Sequence, residues 1–261
     1  MIDNSMKLLI NLLYTLIAAF FFCSFVVSPA LAGGGKRLTV AAASDLTFAL
    51  KEIARGFDKD TGNKTVISFG SSGMLARQIE SGAPFDLFFS ADSRSMEGLE
   101  KGGHIMPATV TLYARGVIVL AVNRRSGAVA AGLRDLSRPE IKKIAIANPA
   151  HAPYGRAAVE ALKAAGVLEA VRGKLVYGEN IRQALQFVQT GDAQAGIVAL
   201  SIADVPEVSY TPVDPKLHNP IDQAAALVKS SKAPEAALAF IRYAVGEKGG
   251  AILKKYGFIV P

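Results

Sequence analysis

The sequence predicts an α/β fold in two halves, each built on a mostly parallel sheet flanked by helices. Three observations predict it. Apolar β-like runs alternate with segments whose apolar residues recur every three or four positions, as strands exchanging with helices do. The alternation occurs twice, on either side of a long β-like run near 109–122. Small, polar or turn-forming residues stand where the β-like runs hand over to the helical ones.

The first segment lies outside this pattern. "MIDNSMKLLINLLYTLIAAFFFCSFVVSPALAGGG" has one Lys, a long apolar run and the ending Ala30-Leu31-Ala32. This is the form of a secretory signal cleaved after Ala32. A membrane anchor is the competing reading, because the run approaches the ~20 residues that span a bilayer. Pro29 and the small residues at the cleavage site favour the signal. Cys23 follows Phe20, Phe21 and Phe22 rather than small residues, which argues against lipidation.

Cleavage leaves 261 − 32 = 229 residues without cysteine, so no disulfide staples the chain and no thiolate holds a metal. Removing Lys7 and Asp3 together keeps the formal charge at +7. An exported basic chain suits a small anion, an anionic envelope surface or an acidic partner. Nucleic acid is not expected, because no Lys/Arg run carries interleaved aromatics.

The elements follow in order. "RLTVAAA" is a strand. "LTFALKEIARGFDKDTG" places Leu46, Leu50, Ile53 and Phe57 on one helical face and stops at Gly62. "KTVISF" is a strand, "MLARQIESG" a helix with Leu75 and Ile79 inward, and "FDLFFSAD" a buried strand. "SRSMEGLEKGG" is a short helix, followed by the β-like "VTLYARGVIVLAVN". In the second half "KKIAIANP" is a strand and "YGRAAVEALKAAG" a helix. "KLVYG" is a strand, "NIRQALQFVQTG" a helix with Ile181, Leu185 and Val188 inward, and "AGIVALS" a strand. After the polar loop "VDPKLHNP" come "QAAALVKSS" and the helical "PEAALAFIRYAVGEKGGAILKKYG". Segment lengths place one crossing in 109–122 and the return near 207–222. The expected division is a signal at 1–32, a first lobe of 33–114 plus 219–261, and a second lobe of 115–218.

Four strand-to-helix junctions share a chemistry: Ser44, the pair Ser71 and Ser72, "NPAHAPYG" at 148–155, and "GENI" at 178–181. A helix start has N–H groups without intrahelical partners and a partial positive charge, so it receives anions readily. Capping alone also explains Ser and Asn at such places. Ligands of open α/β sheets, however, bind outside the carboxyl ends of the strands, where all four junctions lie. Two junctions fall in each half, so a cleft is lined from both sides.

At these residues the chain resembles the periplasmic molybdate-binding proteins of ABC importers. The matching blocks are "VAAASDLTFAL", "FGSSGMLARQIESGAPFDLFFSAD", "NPAHAPYGRAA", "GENIRQALQFVQTGDAQAGIVALS" and the C-terminal helical segment. They cover nearly the whole mature chain in family order. The resemblance implies a two-lobed type II periplasmic-binding fold with molybdate or tungstate in the interlobe cleft. It implies delivery to an ABC permease from the periplasm by a monomer without a cofactor, and no catalysis. Ser44 and Ser72 match hydroxyl donors, and Tyr154 and Ile181 match backbone N–H donors. The family often has a Tyr where this chain has Ala199, so the Tyr154 phenol or a water is expected to replace that donor.

A tetrahedral oxyanion with no proton at pH 7 offers only acceptors, which hydroxyls and N–H groups complement. Asp45 is expected as a solvated acid in the first helical turn. A phosphate- or sulfate-binding protein of the same fold is the alternative, since donors alone do not separate these anions. A serine hydrolase is a further alternative. Gly70-Ser71-Ser72-Gly73 departs from G-x-S-x-G by one residue, and His151 is the histidine expected to approach Ser72. His104, His151 and His218 lack metal-binding spacing.

Overall fold

The computed structural model describes residues 35–261. The expected signal and its cleavage after Ala32 lie outside the described residues. Among these, no helix is long and apolar enough to cross a membrane.

Two five-stranded sheets organise the chain. The first contains β1 (Arg37–Ala43), β2 (Lys64–Gly70), β3 (Leu87–Ser90), β4 (Thr111–Gly116) and β10 (Ile221–Leu227), in the order β2-β1-β3-β10-β4. The second contains β5 (Ile118–Asn123), β6 (Ile144–Ala147), β7 (Leu175–Gly178), β8 (Ala195–Ala199) and β9 (Val208–Pro212), in the order β7-β6-β8-β5-β9. The long β-like run is therefore two strands, and the chain changes sheet at Val117. It returns between Pro212 and Ile221.

Each sheet is mixed. β1 pairs in parallel with β2 and β3, and β6 with β7 and β8. These pairs are joined through helices, as parallel neighbours must be. The antiparallel neighbours are β10 with β3 and β4, and β5 with β8 and β9. They involve the strands at which the chain crosses between sheets, so their direction follows from the crossing rather than from a local strand–helix unit.

Helices α1 (Ala49–Thr61), α2 (Ser72–Glu80) and α3 (Ser93–Lys101) belong to the first half. The second half has α4 (Pro153–Ala164), α5 (Leu168–Val171), α6 (Ile181–Thr190) and α7 (Leu200–Ala203). The chain ends with α8 (Pro234–Val245) and α9 (Glu247–Lys255). The expected helix over 46–62 is a single 3-10 turn at Ser44–Leu46 followed by α1, which stops at Gly62 in the left-handed region (φ 73°). The expected C-terminal helix breaks at Gly246.

The predicted inward faces are buried. Leu50, Ile53 and Phe57 of α1 join Phe89 of β3 and Phe240 of α8 in one core. The Phe240 ring meets those of Phe57 and Phe89 edge to face at centroid distances of 5.1 and 5.8 Å. A second cluster on the other face of this sheet contains Leu75 and Ile79. A third fills the second half with Leu185, Val188 and the strands around them.

Candidate functional site

Register brings the junctions together. β1 and β2 run side by side from the Arg37–Lys64 pair to the Ala43–Gly70 pair, so both strands end at the same level. Ser44 and Ser71-Ser72 therefore emerge next to each other. In the second half Ala147 pairs with Gly178, and the Asn148 N–H donates to the Gly178 carbonyl at 2.8 Å. The loop before α4 and the start of α6 are thereby neighbours. All four junctions meet at one cavity, lined by Ser44, Asp45, Ser71, Ser72, Tyr154 and Ile181 among others.

The cavity is small, with about 190 Å³ of empty space. It suits a compact ion. It is not the largest hollow of the chain: a groove of about 810 Å³ lies near Leu120, Arg134 and Asp214, away from the four junctions.

Each donor is held by its own local chemistry. Ser72, the first residue of α2, is fully buried, and its Oγ accepts from the Ala91 N–H at 2.9 Å. That bond orients the hydroxyl and leaves its hydrogen free to donate. Asn180 caps α6, its Oδ1 accepting from the Arg182 and Gln183 N–H groups at 3.0 and 3.1 Å. The cap serves the second and third N–H groups of the helix, so that of Ile181, the first, is left without a capping partner. Pro153 begins α4 and has no N–H of its own, which makes the Tyr154 N–H the first donor of that helix. Ser44 opens the 3-10 turn, its carbonyl accepting from the Thr47 hydroxyl at 2.6 Å.

The cleft is closed over this cavity. The Gly73 N–H donates to the His151 carbonyl at 3.0 Å, and Ser71 Oγ lies 2.8 Å from His151 Nδ1. Burial pushes the His151 imidazole below its ordinary value and Arg77 adds to this, so it bonds Ser71 as a neutral ring. Gly73 allows the approach, because a Cβ there meets the His151 carbonyl oxygen at 2.9 Å. Asp92 and Arg156 form an ion pair between the two halves. Histidine 151 thus pairs with Ser71 and not, as the sequence suggests, with Ser72.

Two expectations are corrected behind the donors. Asp45 is not a solvated helix acid: it is 1% exposed. Its Oδ2 accepts from the Tyr154 hydroxyl at 2.9 Å and from Gln223 Nε2 at 2.8 Å. The Tyr154 phenol therefore does not stand in for the donor missing at Ala199. It donates to Asp45 and accepts from Gln223 Nε2 at 2.9 Å. The Tyr113 hydroxyl closes the network on Gln223 Oε1 at 2.6 Å. Gly116 makes room for it, since a Cβ there collides with the Tyr154 hydroxyl. Nothing in the local sequence around Asp45 marks it as buried. The only available signal is its place two residues after a buried strand that ends at a sheet's carboxyl edge.

Tyr154→Phe deletes one of the two donors to a buried carboxyl. It is expected to lower stability by about 1–3 kcal/mol, the effect of leaving a buried polar group short of a partner. Urea unfolding measures this, and an unchanged midpoint contradicts the network.

The comparisons with known proteins cover the same residues. The family described as bacterial extracellular solute-binding protein matches residues 38–259. The molybdate-binding protein ModA of Azotobacter vinelandii is 40% identical over 233 residues, covering 88% of this chain and 92% of that protein. ModA of Rhodobacter capsulatus is 34% identical, with 90% and 93% covered. The solved periplasmic molybdate-binding protein of Azotobacter vinelandii superposes with a TM-score of 0.80 at 34% identity, over 86% of this chain and 99% of that one.

Proposed function

Because this chain belongs to the family of bacterial extracellular solute-binding proteins, we propose that it captures molybdate, and tungstate, in the closed cavity between its lobes and delivers it to an ABC importer. The Ser44 and Ser72 hydroxyls and the Tyr154 and Ile181 N–H groups donate to the anion. Lobe limits of 33–114 plus 219–261, and 115–218, place two of these donors on each side. Delivery from the periplasm follows an export signal at 1–32, and the chain acts as a monomer without a cofactor. It releases its ligand unchanged, so the site is one of binding and not of turnover.

The carrying observation is the convergence of four helix starts on a cavity sized for a compact ion. Helix starts favour anions through unpaired N–H groups and the macrodipole. Hydrogen bonds to a charged partner contribute about 1.5–3 kcal/mol each. A dianion without protons uses every one of these donors. The relatives named for molybdate supply the identity of that anion.

Calorimetric titration with molybdate, tungstate, sulfate and phosphate is the test. The expected result is 1:1 binding of the first two. Sulfate and phosphate are expected at least ~100-fold weaker, or about 2.7 kcal/mol at 1.36 kcal/mol per decade. Tight phosphate binding with no response to molybdate overturns the reading.

A further inference from the structure

One wall of the cavity carries a group that a site for a dianion does not call for. Asp45 lines the cavity and is buried, and its Oδ1 has no hydrogen-bond partner among the described residues. It is the one buried side-chain nitrogen or oxygen in that condition there. Both ordered donors, Tyr154 and Gln223, reach the other oxygen, Oδ2. The carboxyl is thus asymmetric: one oxygen accepts twice, and the other is left without a partner in a residue that lines the cavity.

An ionised Asp45 beside a dianion is repelled, and a buried charge with an unpaired oxygen is costly in any case. A neutral acid resolves both difficulties. Its carbonyl oxygen is Oδ2, which keeps its two donors. Its hydroxyl is Oδ1, which then needs an acceptor, and an oxyanion supplies one. We propose that Asp45 is a fifth ligand-binding side chain, which meets the anion as a neutral carboxylic acid through Oδ1 and takes up one proton from solvent as the anion enters. This rests on the oxyanion-binding reading of the same cavity. It also supplies the side-chain donor that Ala199 lacks.

The surroundings support a neutral form. Burial raises the Asp45 pKa to about 6, opposed by the hydrogen bonds from Gln223 and Tyr154 and by the nearby Asp45 and Leu46 N–H groups, neither of which makes a hydrogen bond of normal geometry to the carboxyl. The titratable groups facing it are two phenols. Burial first, and then the charge of Asp45, pushes Tyr154 and Tyr113 well above their ordinary range, so both stay neutral. From α1 the nearby charged residues are Lys51, Glu52 and Arg55, and Glu52 is paired with Lys255. From α6 it is Arg182, whose guanidinium lies 5.4 Å from the Phe48 ring centroid. From α7 the Ser201 hydroxyl approaches, and it donates to the backbone carbonyl of Asp45, not to the carboxyl, at 2.8 Å. None of these cations pairs with the Asp45 carboxyl.

The sign of the linkage follows. The empty site begins to lose the Asp45 proton as pH rises through about 6, while the anion-bound site holds it to higher pH because the dianion disfavours the carboxylate. Affinity is therefore greatest below that value and falls as pH rises, by up to about tenfold per pH unit for one proton.

The experiment is calorimetric titration of the wild type with molybdate between pH 5.5 and 8, in two buffers of different protonation enthalpy, with Asp45→Asn alongside. The expected wild-type result is uptake approaching one proton per anion above pH 7 and binding that weakens about tenfold per pH unit. Asp45→Asn places an amide donor at the Oδ1 position and a carbonyl at Oδ2. It is expected to bind with no proton uptake and a flat pH profile, and more tightly than wild type at pH 8. A wild-type affinity that is flat in pH, with heats equal in both buffers, overturns the proposal while leaving molybdate binding intact. The same holds if Asp45→Asn folds and fails to bind. Tight phosphate binding without proton uptake places a carboxylate at Oδ1 and also overturns it. No response to molybdate at any pH overturns the reading of the site and the proposal with it.

Discussion

Ser72→Ala is expected to weaken molybdate binding by roughly ten- to 150-fold, the effect of losing about 1.5–3 kcal/mol from one hydrogen bond to a charged acceptor. The magnitude follows from how the hydroxyl is held. Its oxygen already accepts from the Ala91 N–H, so its hydrogen has one direction left and needs little reorganisation when the anion arrives. The same substitution orphans the Ala91 N–H, which lies between the end of β3 and the start of α3. Stability without ligand therefore falls as well, by about 1–3 kcal/mol. The two effects separate cleanly. Titration at a temperature where the variant is fully folded reports affinity, and urea unfolding without anion reports stability. A lower urea midpoint with wild-type affinity makes Ser72 a structural residue only.

Phe240→Ala is expected to lower stability by about 3–5 kcal/mol, the range for removing a buried aromatic ring from a core. Phe240 is fully buried on α8 and packs edge to face against Phe57 of α1 and Phe89 of β3. It joins the C-terminal helices to the first sheet, and so binds the last part of the chain to the half that holds Ser44 and Ser72. Affinity of the folded fraction is expected to stay at the wild-type value, because Phe240 does not line the cavity. Urea unfolding checks the first statement and titration below the transition checks the second. A loss under 1 kcal/mol contradicts the packing (well short of the aromatic range).

The two variants bracket what was legible. Phe57 and Phe240 sit on strongly periodic helical segments, and periodicity is a local property that neighbouring residues set. The junction positions of Ser44, Ser72, Tyr154 and Ile181 were legible for a related reason: each stands at the change from a β-like to a helical pattern. The register of β1 with β2 and of β6 with β7 then brings these changes to one cavity. Less legible were the mixed sheets. Antiparallel β5 and β10 are set by the route of the chain between halves, which no window of a few residues contains.

What the sequence determined by itself was the alternation of strands and helices, the inward faces, and the four helix starts. Each depends on contacts within a turn or two of chain. The partners of those starts were left to the tertiary structure. Asp45 looks like an ordinary first-turn acid until Tyr154, 109 residues away, and Gln223, 178 residues away, close on its Oδ2. Burial of a carboxyl is a property of everything packed around it, and so is its protonation. The neighbours that decide both arrive from the other lobe and from the returning strand, and only the folded chain brings them together.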